Sequence, residues 1–204
     1  MKAPERIEKL VILNIPHYPR GAIDPIEIMR QRLGDDFYIV NFQDSDEADR
    51  LFASDTTHFF NMMMRKRQIT RQQFDTLPPQ MQSLSLIKTM QRSHSGGEPL
   101  LRDDERDYFA NAFDKSGFTG AINWYRNWTD NWRSLEDVNE IIDIPTLFIG
   151  AEDDVVISPH HIEAMKPLVR DLEVHMIENC GHWSQQEHPN TVNRLMLDWL
   201  QRRS

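Results

Sequence analysis

Three short apolar runs constrain the fold: 9–15 (KLVILNI), 145–150 (PTLFIG) and 172–177 (LEVHMI). The first two are nearly continuous in apolar residues, as strands buried on both faces of a parallel sheet are. Each later run is reached through helical sequence, so the chain is α/β and not a β-meander. Between the first and second runs lie about 130 residues of helical, charged sequence: 24–34, 45–67, 78–92 and 102–117 all read as helices. That is too long for a simple crossover and reads as a helical cap inserted into a core. The expected organisation is therefore 1–20 as first core strand and entry to the cap, 21–137 as cap, and 138–204 as the C-terminal part of the core.

Charge and composition narrow the partners. A net charge of −9 over 204 residues opposes binding to nucleic acid or an anionic membrane, which needs a basic face. The one basic run, Arg65-Lys66-Arg67, reads as a solvated helix end. Cys180 is the only cysteine, so no intrachain disulfide forms, and a reducing cytoplasm fits. The opening MKAPERIEKLVILNIP lacks a small-residue cleavage site and reads as a strand, and no apolar run reaches the length of a membrane span. Apolar content is 39%, low for a globular enzyme. A piece lacking the middle of its sheet would show such a value.

The chemistry gathers after the last two strands. The second delivers AEDD (151–154) and the third delivers ENCGHW (178–183). In open parallel sheets ligands bind outside the carboxyl ends of the strands, which places Asp153 or Asp154 on one edge with His182. An acid followed by a histidine in this order is the second half of an α/β-hydrolase triad. Taken singly, an acid after a strand is usually a turn residue and a lone histidine usually structural. Cys180, His182 and His188 match no common zinc spacing, so neither metal nor cofactor is expected. Farther on, Val192, Leu195, Met196, Trp199 and Leu200 fall at helical spacing behind Pro189, an amphipathic helix that should cover the sheet.

In GFTGAINWYRNWTDNWRSLE (117–136), Trp124, Trp128 and Trp132 recur every four residues. On one helix they form a stripe expected to pack cap against body. Tyr125 lies about 100° from that stripe, where it points into a cleft or sits on a rim.

FTGAINWYRNW, AEDDVV and IENCGHWSQQEHP together resemble the C-terminal half of soluble epoxide hydrolases of the α/β-hydrolase superfamily, and PERIEKLVILNIPH resembles the strand after that family's nucleophile helix. The resemblance implies a partial α/β-hydrolase fold: three parallel strands with an inserted helical cap. It also implies a mechanism in which an aspartate opens an epoxide to an ester while cap tyrosines hydrogen-bond the leaving oxygen. A histidine oriented by an acid then activates water against the ester. By matching motifs Tyr125 is a ring-opening tyrosine, His182 the base, and Asp154 the acid, preferred to Asp153 because the family acid precedes an apolar pair, here Val155-Val156. Tyr38, Asn41 and Trp183 fall at substrate-pocket positions.

The sequence departs from the family pattern twice. Where the family carries Tyr-x-x-Tyr-Phe-Gln this chain reads YIVNFQ (38–43), so Tyr38 matches the first tyrosine and Asn41 replaces the second. Losing one such donor typically costs on the order of 10²–10³ in rate. The second departure is the nucleophile. An elbow needs two glycines four apart around it. The glycines stand at 21, 34, 96, 97, 117, 120, 150 and 181, and no two have that spacing. Two readings follow. The chain is either the cap and C-terminal half of an epoxide hydrolase, inactive alone and acting on small-molecule epoxides when an N-terminal half completes it, or a non-catalytic interaction module. A dehalogenase-type sibling ranks below the first because NWYRN belongs with oxygen leaving groups. Alone, with the first strand's edge unpaired, the chain is expected to dimerise through that edge, rearrange or aggregate.

Overall fold

The computed structural model describes residues 3–44, 46–66, 69–78, 81–82 and 84–203. The chain divides into two compact units: a strand-bearing unit of Met1–Arg20, Lys66–Thr76 and Asp137–Ser204, and a helical unit of Gly21–Arg65 and Leu77–Glu136. Residues 66–76, within the span expected for the cap, thus cluster with the strands.

Strands β1 (Leu10–Leu13), β2 (Thr146–Ala151) and β3 (Leu172–Ile177) form one parallel sheet in the order β1-β2-β3. Leu13 pairs with Ile149 and Ile149 with His175. Every residue of β2 is buried, as its nearly continuous apolar run leads one to expect. All four residues of β1 are only half-buried, and among the described residues β1 pairs with β2 alone.

The helical unit begins with α1 (Pro25–Leu33), where Asp24 caps the N-terminus by accepting from Ile26 N at 2.9 Å, and α2 (Tyr38–Asp44). The stretch 45–67, read as one helix, is two: α3 (Glu47–Ser54) and α4 (Thr56–Met63). Asp55 divides them because its carboxylate accepts from His58 N at 2.7 Å and caps the second helix. α4 ends before the basic run. Arg65 is half-buried, bridges Pro99, and donates from Nη2 to Ser95 O at 3.2 Å, so it is not a solvated helix end. Helix α5 (Arg71–Asp75) lies in the strand-bearing unit. Within 78–92 the described helix is α6 (Leu86–Met90), capped by Ser85. Residues 79, 80 and 83, like Ser45 and Arg67, lie outside the described residues.

α7 (Asp103–Ser116) ends at Gly117, whose φ of 67° is a left-handed conformation that favours glycine. α8 (Thr119–Arg126) and α9 (Trp128–Ser134) follow, broken at Asn127. That break corrects the tryptophan stripe. Trp124 is 75% exposed, whereas Phe118 and Ile122 are buried in the core with Phe42, Phe52 and Met62. Tyr125 is half-buried and packs against that cluster, so the packed face of α8 runs through Phe118, Ile122 and Tyr125.

Helices α10 (Pro159–Met165), α11 (Ser184–Glu187) and α12 (Pro189–Arg202) belong to the strand-bearing unit. Side chains alternate across β2. Leu147 and Ile149 pack with Val192 and Trp199 of α12, and Phe148 packs with Ile162 and Met165 of α10. Among the described residues no helix is long and apolar enough to cross a membrane.

Trp199 is fully buried, and its indole N–H has no partner among the described atoms. Trp199→Ala should cost about 3–5 kcal/mol. Trp199→Phe keeps a ring and gives up no hydrogen bond, so it should cost less than half as much. Urea unfolding of both variants checks this.

Candidate active site

Parallel pairing carries the ends of β2 and β3 to the same edge, and the ladder runs on past both. Glu152 N donates to Ile177 O at 3.0 Å and Asp153 N to Cys180 O at 2.9 Å. Asp154 follows, only 2% exposed. Its Oδ1 accepts from Val156 N at 2.8 Å, closing a local turn, and its Oδ2 lies 2.9 Å from His182 Nδ1. An ionised carboxylate only accepts, so this contact puts the imidazole proton on Nδ1 and leaves the Nε2 lone pair available as a base.

Asp153 is engaged elsewhere: its Oδ1 accepts from Arg71 N at 2.9 Å, at the first residue of α5. The Arg71 guanidinium donates to Asp154 O at 3.3 Å and Val155 O at 3.4 Å, and pairs with Asp75 at 2.8 Å. A segment from the middle of the chain thus secures the loop that holds the acid. Its start was legible as a Thr70–Gln73 capping box, but nothing local announced where the helix docks.

The turn before His182 is also held. Asn179 adopts a left-handed φ of 53°, and Gly181 N donates to both Glu187 carboxylate oxygens at 3.1 Å. Trp183 lies beside His182, ring centroids 5.4 Å apart in an edge-on arrangement. Cys180 is buried, its thiol 3.4 Å from Gly181 O. A cavity of about 20 Å³, bordered by Asn14, Gly150 and Asp154, has room for one water.

In the helical unit, α2 and α8 bring Tyr38 and Tyr125 together edge-on, with ring centroids 5.3 Å apart. Gln43 Nε2 fixes the pair's backbone by donating to Tyr125 O at 3.0 Å, and Arg126 Nε donates to Phe42 O at 2.8 Å. Burial pushes the Tyr125 phenol above its ordinary value of 10.0, and a side-chain hydrogen bond with Tyr38 partly opposes this. A phenol held protonated is a donor. Asn41, one turn along α2, has a buried Oδ1 with no partner among the described atoms. The partner of Tyr125 is therefore Tyr38, which the spacing of YIVNFQ alone did not reveal.

A three-stranded parallel sheet with helices over β2 and an acid–histidine pair at its carboxyl edge defines an α/β-hydrolase core. The chain belongs to the alpha/beta hydrolase fold family, whose model matches residues 1–189. It is similar to bifunctional epoxide hydrolase 2 of Rattus norvegicus (28% identical, 97% of this chain and 35% of that protein). It is also similar to epoxide hydrolase 1 of Siraitia grosvenorii (33% identical, 97% and 63%). Among solved structures, epoxide hydrolase A of Mycobacterium thermoresistibile superposes with a TM-score of 0.83 at 27% identity, over 98% of this chain and 64% of that one. The chain spans less than two thirds of the length of these relatives.

Removing the Tyr38 hydroxyl should raise the Tyr125 titration further, because the opposing hydrogen bond is lost while burial remains. In an alkaline absorbance titration, the step that Tyr125→Phe removes should lie above pH 10 in the parent and higher still in Tyr38→Phe. An unchanged or lower step contradicts the pairing.

Proposed function

We propose that this chain is the cap and C-terminal part of an epoxide hydrolase-type enzyme that turns small-molecule epoxides into diols through an aspartyl ester. The observation that carries the reading is the 2.9 Å contact of His182 Nδ1 with the buried Asp154 carboxylate at the edge of the parallel sheet. In the ester-hydrolysis half-reaction, His182 Nε2 takes a proton from water as its oxygen attacks the ester carbonyl. Asp154 stabilises the imidazolium that forms. In the ring-opening half-reaction, Tyr125 donates to the epoxide oxygen as the C–O bond breaks and charge develops there, while Tyr38 supports it by donating to the Tyr125 phenol oxygen. The phenol pair makes Tyr38, and not Asn41, the neighbour that supports Tyr125.

The ring-opening step needs a carboxylate nucleophile, and no Gly-x-Asp-x-Gly or Gly-x-Ser-x-Gly spacing occurs in the 204 residues. Loss of a triad nucleophile costs on the order of 10⁶ in kcat, so these residues alone are proposed to be inactive. The half-buried apolar β1, paired on one side among the described residues, also supports a non-catalytic reading in which two copies associate through that edge.

With an aryl epoxide, the isolated chain should show no turnover above background. Fusion to an N-terminal segment of a relative that carries the elbow should restore turnover, and His182→Ala should abolish the ester-hydrolysis step. Turnover by the isolated chain that His182→Ala removes would overturn the inactivity. A fusion that folds but stays inert favours the non-catalytic module.

A further inference from the structure

Asn14 stands one residue past β1, in a position that no part of the proposed mechanism uses. Its backbone N–H donates to Ile149 O at 2.9 Å, extending the β1–β2 ladder by one bond. The chain then turns sharply at Asn14 itself, with φ of 62°. Left-handed backbone is unfavourable for residues other than glycine, and asparagine is among the few that adopt it readily. The residue is 6% exposed, so both ends of its amide need partners. Nδ2 donates to the carbonyl oxygen of His182, and Oδ1 accepts from the fully buried Ser184 Oγ at 2.8 Å. One amide therefore grips the histidine loop on both sides of Trp183, and the two partners lie 168 and 170 residues away in sequence.

We infer that Asn14 is a positioning residue for His182: its amide fixes the backbone of the base so that the imidazole meets Asp154 Oδ2 in one orientation and one tautomer. Three strand ends act together. β2 supplies the acid, the loop after β3 supplies the base, and β1 supplies the group that stops the base from turning. A histidine held only by Asp154 Oδ2 keeps freedom in its backbone, and that freedom moves the ring relative to the carboxylate. Anchoring the His182 carbonyl removes it without touching either ring nitrogen, so Nε2 stays open to water. The assignment rests on the proposed role of the His182–Asp154 pair.

The test reads the His182 ring directly in the ¹⁵N-labelled isolated chain and needs no turnover. In the parent, ring-nitrogen spectra should show a single Nδ1–H tautomer, with that proton protected from solvent exchange. Asn14→Gly keeps the left-handed turn accessible and deletes the amide. It should speed exchange of the Nδ1 proton about fivefold to tenfold, the factor one net hydrogen bond supplies. It should also move the ring shifts towards a tautomer average, while amide exchange in β2 stays as in the parent. Ser184→Ala, which removes one anchor and leaves the β1 backbone alone, should shift the same signals by a smaller factor and carries the test should Asn14→Gly fail to fold. A folded Asn14→Gly chain with parental ring signals overturns the assignment, as does an unchanged Ser184→Ala chain if Asn14→Gly does not fold. Asp154→Asn separates the two ideas: parental ring signals in that variant overturn the acid–histidine pair itself, whatever Asn14 does.

Discussion

The parallel pairing of β1 and β3 to the two sides of β2 is the constraint on which the site depends. A parallel ladder gives adjacent strands the same direction, so three segments far apart in sequence must deliver their following loops to one edge. Asn14, Asp154 and His182 come together for that reason, and the buried central strand keeps their spacing rigid. Leu147 and Ile149 below and Phe148 above lock β2 between helices. Displacing the acid relative to the base would mean disrupting the most buried strand of the unit.

Around that edge the protein uses backbone groups and short polar side chains as fasteners. Val156 N aligns Asp154, Glu187 holds Gly181, and Arg71 ties the acid loop to α5 through two carbonyls. Buried polar groups are costly unless bonded, so each fastener helps fix the geometry it satisfies. In the helical unit the same logic operates in an aromatic setting. Tyr38 and Tyr125 share a hydrogen bond inside a cluster whose burial raises the Tyr125 phenol, which keeps it protonated and able to donate.

Much of this was legible residue by residue. The three strands follow from short apolar runs, nearly continuous in the first two, and β3 falls where LEVHMI ends on both sides. The last helix follows from its periodicity and Pro189. Asp154 and His182 follow from strand-end placement together with the family's motifs. The failures share one cause, which is that local pattern does not reveal what a side chain meets. The Trp124–Trp128–Trp132 stripe assumed an unbroken helix, but Asn127 interrupts it, and Trp124 lies on the solvent face of α8, opposite the face through Phe118, Ile122 and Tyr125. The long helix over 45–67 ignored the capping carboxylate of Asp55. The basic run looked solvated until Arg65 met Ser95 and Pro99.

What the sequence determined by itself is the class of protein: an α/β-hydrolase fold with an acid and a histidine after its last two strands and no elbow spacing for a nucleophile. Apolar periodicity and residue order are local properties, and a single chain displays them without folding. That Tyr38 pairs with Tyr125, and that Arg71 and Asn14 hold the loops carrying Asp154 and His182, were decided only by tertiary structure. Each of these depends on a hydrogen bond between residues about 80 to 170 positions apart. Their energy comes from burying both partners in one place, and no window along the chain records that.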